Sequence, residues 1–106
     1  GCVVRISATY GFPSKNTLLL LRAESSSNDI RSIAWVHDGK LNILLICKVD
    51  EARTVAITGI SGQLDASWID NAIPYETPSM QTSVISSMEP LIMSGYTVAL
   101  LQMLIT

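Results

Sequence analysis

In the stretch KLNILLICKVDEARTVAITGI, residues 40–60, apolar residues fall on both faces of a single predicted strand. Leu41, Ile43, Leu45, Cys47 and Val49 alternate along one face. On the other, Leu44 and Ile46 stand between Asn42 and Lys48, where a half-exposed strand carries polar side chains. Such a strand needs a cover on its second side. The sequence offers three candidates: a C-terminal helix, the segment 64–73, or another subunit.

The flanking pattern predicts more strands. CVVRISATY sets Cys2, Val4, Ile6, Ala8 and Tyr10 on one face, with Arg5, Ser7 and Thr9 opposite. GFPSKN has loop chemistry, TLLLLRAE reads as a second strand, and SSSND is a further loop in which Asp29 is placed to cap a short helix. Asp38-Gly39 lies between two apolar runs. That is the signature of a two-residue type I′ hairpin turn, which requires positive φ at both central residues. Strand 32–37 therefore pairs with 40–49, and 53–60 is expected to return alongside as the third strand of a meander.

Beyond Gly62 the spacing changes. Leu64, Trp68, Ile69, Ala72 and Ile73 recur at helical intervals, predicting a short amphipathic helix over 64–73. PYETPS is loop. In SSMEPLIMSG, Ser86 and Glu89 are spaced as a capping box, Pro90 falls in the first turn and Gly95 is placed as a C-terminal stop. YTVALLQMLI fits either a continuing helix or a buried strand, and the β-branched start favours the strand. The expected fold is α+β: a mainly antiparallel sheet of five to six strands, one face covered by one or two helices. Residues 1–106 form one domain, and Gly1 in place of Met suggests a fragment of a longer or processed chain.

Composition sharpens this in one respect. Only 15% of the 106 residues are charged, against about 25% in an ordinary soluble domain. A domain this small has much surface for its volume, so apolar or hydroxyl-bearing groups must lie outside. That composition favours a surface shared with other chains. The net charge of −2 argues against strong nucleic-acid binding. All seven Lys and Arg lie in the first 53 residues, and residues 90–106 carry no charge at all. That charge-free run is interrupted by Pro90, Ser94, Gly95, Thr97 and Gln102 and is too short to span a bilayer as a helix, so membrane contact is the lesser expectation. Two cysteines fall short of a disulfide framework, and no signal peptide precedes the domain in the residues given. Both point to a reducing, intracellular setting.

Candidate chemistry is sparse. His37 and Asp38 are neighbours, but adjacent strand residues point to opposite faces, so they do not make a dyad. The apolar surroundings of Cys47 disfavour a thiolate. One His and two distant Cys do not make a metal site, TGISG lacks the Lys of a phosphate loop, and Asp65 and Asp70 diverge on a helix. No cofactor is expected. The function read from these features is a non-enzymatic interaction or self-assembly domain. By analogy it would be a structural subunit of the viral matrix or coat kind, with a second copy or another protein as partner. Trp35, Trp68, Leu44 and Ile46 are the candidate contact residues. A small regulatory or ligand-binding module is the second reading, and an enzyme using Cys47 or His37 the third.

Overall fold

The computed structural model describes residues 2–7, 18–69, 81–86 and 89–104. They form nine strands: β1 (Cys2–Ser7), β2 (Leu19–Ser25), β3 (Ile30–His37), β4 (Lys40–Cys47), β5 (Arg53–Thr58), β6 (Gln63–Ile69), β7 (Gln81–Ser86), β8 (Leu91–Met93) and β9 (Val98–Leu104). The strands run in the order β7-β6-β9-β4-β3-β2-β1-β5-β8. Every pairing is antiparallel except that of β1 with β5. The result is a nearly closed, barrel-like sheet wrapped around one core.

The corner of this wrap is β2. Its residues Leu19, Leu20 and Leu21 pair with β3, whereas Arg22 to Ser25 pair with β1. One strand thereby belongs to two sheets, a usual way for a β-layer to turn over its own core. Inside, Leu41, Ile43, Leu45 and Cys47 of β4 meet Val36 and Ala34 of β3, Leu101 and Ala99 of β9, and Leu64 and Ala66 of β6. The inward residues of β4 are 0–1% exposed. Burying a Leu or Ile side chain contributes about 1.5–3 kcal/mol each, which makes β4 the best-anchored strand.

The β3–β4 hairpin forms as its sequence requires. Asp38 and Gly39 sit at φ 53° and 73°, both in the left-handed region, and His37 pairs with Lys40. The loop between β2 and β3 is tied to the start of β5 by Arg53, whose Nε donates to Asp29 Oδ2 at 3.1 Å while Nη1 donates to Glu51 Oε2 at 3.1 Å. These bonds, Glu51 first and Asp29 second, raise the guanidinium pKa further above its already high value. The Asp29 carboxylate thus accepts from Arg53, and the Asp29 backbone N–H donates to Ser27 Oγ at 3.1 Å in place of starting a helix.

Several expectations need correction. No helix is present among the described residues, so the domain is all-β, and nine strands replace five or six. The segment 64–73 is β6 as far as Ile69; Ala72 and Ile73 lie outside the described residues. Leu64, Ala66 and Trp68 also alternate with Asp65 and Ser67, and in the fold that two-residue period prevails because β9 and β7 pair on either side. The segment read as a capped helix is divided between β7 and β8. At its Ser86/Glu89 pair the Glu89 N–H donates to the Ser86 carbonyl at 3.1 Å, and Ser86 closes β7. The meander stops at β4: β5 leaves to pair with β1 and β8, and β9 takes the place beside β4. The strand reading of the C-terminus agrees with β9. Tyr10, GFPSKN and PYETPS lie outside the described residues.

A β-branched side chain is strained at the left-handed backbone of Gly39. Gly39→Val is therefore expected to lower unfolding stability by about 1 kcal/mol or more, read as a reduced melting temperature with unchanged far-UV circular dichroism below the transition.

Candidate functional site

The outer surface of the β2-β3-β4-β9-β6 layer carries the strongest feature of the molecule. Residues paired across antiparallel strands share a face, so the register defines three adjacent rows. The first runs Ile33, Leu44, Leu100, Ser67. On one side lie Arg31, Ile46, Val98 and Ile69, and on the other Trp35, Asn42, Gln102 and Asp65, with Leu20 beside Trp35. The apolar members of these rows form a band crossing five strands.

Its rim is exposed: Leu20 by 71%, Ile33 by 46%, Val98 by 44% and Ile69 by 42%. Leu44, Ile46, Leu100 and Trp35 in the middle are half-buried by their neighbours. One polar pair interrupts the band, Gln102 Nε2 donating to Asn42 Oδ1 at 2.8 Å and Asn42 Nδ2 donating to the Lys40 carbonyl at 3.3 Å. Satisfying each other in this way, the two amides add little desolvation cost if the face is covered.

Of the four contact residues read from the sequence, three meet here. Trp35, Leu44 and Ile46 lie on this outer face. Trp68 does not, for it pairs with Ala99 and Gln81 and packs against the core from the inside. Leu20, Ile33, Leu100 and Val98 complete the band, and their place on it was not legible in the sequence. Their alternation was visible, but which neighbours they stand beside depends on the long-range order β6-β9-β4-β3-β2.

Among the described residues, catalytic groups do not gather. His37 is exposed at the hairpin tip with Asp38 in the turn. Cys47 is 1% exposed, its Sγ placed 3.6 Å from the Val49 carbonyl and 3.7 Å from that of Glu51, inside the apolar core. No base stands near it in these contacts. Among the described residues no group of three or more His, Cys, Asp or Glu converges as metal ligands would, and no helix is long and apolar enough to cross a membrane. Asp65 lies on the outer face beside Gln102, and Asp70 is outside the described residues.

No protein-family model and no curated protein matches this chain. Solved structures do. A β-porphyranase of glycoside hydrolase family 86 from Bacteroides plebeius superposes with a TM-score of 0.67 at 17% identity, over 82% of this chain and 16% of its own. The catalytic domain of GH30 xylanase C from Talaromyces cellulolyticus gives 0.65 at 16% identity, over 84% and 20%. The GH51 α-L-arabinofuranosidase of Thermotoga petrophila gives 0.58 at 12% identity, over 84% and 23%. At such identities the likeness is one of fold, and this chain spans no more than a quarter of the length of each of these proteins. The fold shared with them is the all-β one, and the viral coat-like reading is thereby set aside: the neighbours are glycoside hydrolase domains and not viral structural proteins.

The two faces of β4 should respond differently to truncation. Leu45→Ala removes a side chain with no exposure and is expected to cost about 2–5 kcal/mol, while Leu44→Ala on the outer face should cost well under half of that. Denaturant unfolding of the two variants checks the ratio. Equal losses would mean that the outer face is core.

Proposed function

We propose that this chain is a non-catalytic interaction domain whose outer β2-β3-β4-β9-β6 face docks on a larger folded unit of the same polypeptide. The observation that carries the reading is the apolar band through Ile33, Leu44 and Leu100, exposed at its rim and continuous across five strands. A band of this kind, bordered by Arg31, Lys40 and Asp65, has the anatomy of an interface: an apolar middle and a charged rim. The choice of occupant rests on proportion. In the glycoside hydrolases with this fold, the matched region is 16–24% of the chain, leaving most of the polypeptide to form something against which a β-domain can pack. Low charge content fits the same role, since a covered surface needs no solvating charges.

The reading makes the domain a brace. It contributes buried area and rigidity to its neighbour, and the chemistry resides in the neighbour. Self-association of the isolated chain through the same band is the competing occupant.

The test introduces charge at the centre of the band. In the gene product that carries residues 1–106, Ile33→Glu with Leu100→Glu should leave the far-UV circular dichroism of the isolated domain unchanged. The same pair should make the junction between the domain and the remainder markedly more sensitive to limited proteolysis. A junction as resistant as wild type defeats the docking reading. Sedimentation of the isolated 106-residue chain from micromolar to about millimolar concentration separates the occupants, because weak contacts of about 4 kcal/mol already register there. Dimerisation abolished by the same pair would assign the band to a second copy.

A further inference from the structure

The sheet that wraps the core does not close. Its two end strands, β7 and β8, are consecutive in the chain yet lie at opposite ends of the strand order, and no register pairs them. Between them a cleft of about 340 Å³, bounded by residues of both end strands, opens toward the core, within the size range of small-molecule sites.

We infer that this seam is a binding site for a neutral, polyhydroxylated ring, a sugar unit held between Trp68 and the β8 wall. Three features of the cleft lead there. It exists because the inward positions next to Trp68 are small: Ala99 and Ala66 are alanines, so the indole faces open space where a Leu or Phe would have filled it. On the far side stand Leu91 and Met93 of β8. An aromatic face opposite an aliphatic wall makes a slot for a ring with two apolar faces.

The second feature is charge. Among the described residues bounding the cleft none is Asp, Glu, Lys, Arg or His, so a charged ligand would be desolvated with none of them to pair with. The third is the polar set, formed by Gln81, Ser83, Ser94 and Thr97. The Thr97 hydroxyl donates to the Ser94 carbonyl at 2.7 Å, which leaves its oxygen free to accept. A hydrocarbon or simple aromatic ring would cover these hydroxyls and the amide without satisfying them, a penalty a hydroxylated ring avoids. Ring hydroxyls directed toward Gln81 and Ser83 and ring C–H groups against the indole use the whole lining. The site is on the inner side of β6 and β7, away from the outer band, and stands whether or not that band docks on a partner.

Tryptophan fluorescence reads the site directly, because the chain has two tryptophans and Trp35→Phe leaves Trp68 as the sole tryptophan, to be excited selectively over the tyrosines. Titration of that variant with three neutral disaccharides, cellobiose, xylobiose and lactose, should give a saturable change of Trp68 emission with at least one of them. Glucuronate, which carries a carboxylate, should give none in the same range. Ser83→Leu, at an exposed position bordering the cleft, should weaken the response about tenfold or more while keeping the melting temperature. Gln81→Ala serves the same purpose if the leucine variant fails to fold. The proposal is overturned if no disaccharide gives saturation up to about 100 mM, the weak end of measurable affinity. It is equally overturned if benzyl alcohol binds more tightly than every sugar, or if the cleft variants respond like the parent.

Discussion

The inward burial of β4 is the constraint on which the rest of the domain depends. Leu41, Ile43, Leu45 and Cys47 have essentially no contact with solvent, and β3 and β9 pair with this strand along almost its whole length. With no helix among the described residues to cover it, the core must be enclosed by the sheet itself. The strands accordingly wrap round, β2 changes sheets at its midpoint, and β1 and β5 complete the opposite wall with Val4, Ile6, Val55 and Ile57. A slip of one residue anywhere in β4 would exchange its core face for its outer face, so the register is firmly held.

Enclosing a core with a sheet alone leaves two features unresolved, and both bear on function. The sheet ends at β7 and β8 without joining them, which leaves the cleft beside Trp68. The wide layer on the β4 side also has an outer face that no other layer covers among the described residues, and that face is apolar through its middle. A domain selected only to be a soluble monomer would carry polar residues at Ile33, Leu44 and Leu100. The polar residues it does carry there, Asn42 and Gln102, bond to each other.

Among the described residues the titratable groups are spread out and engaged locally. Glu24, Asp29 and Glu51 are each engaged by an arginine, and the single histidine sits at a solvated turn. Cys47 packs as a small apolar side chain. The likeness to glycoside hydrolases is one of fold and extends to a minor part of those proteins.

Local chemistry in the sequence was enough to determine the β3–β4 hairpin, the alternation of β1 and the two-sided apolar character of β4. Each of these depends on neighbours a few residues apart, where Asp-Gly at positive φ or a period of two leaves few alternatives. The outward placement of Leu44 and Ile46 on that strand was legible for the same reason. The helices expected over 64–73 and 86–95 were ambiguous locally, since Leu64 and Trp68 fit a period of 3.6 as well as one of two. Tertiary structure decided them: β9 and β7 offered backbone partners on both sides of β6, and a strand so paired outcompetes an isolated short helix. The departure of β5 to β1, the position of β9 beside β4 and the seam at Trp68 likewise arise from contacts far apart in the chain. No local pattern encodes them, because each is fixed only when the sheet turns over its core.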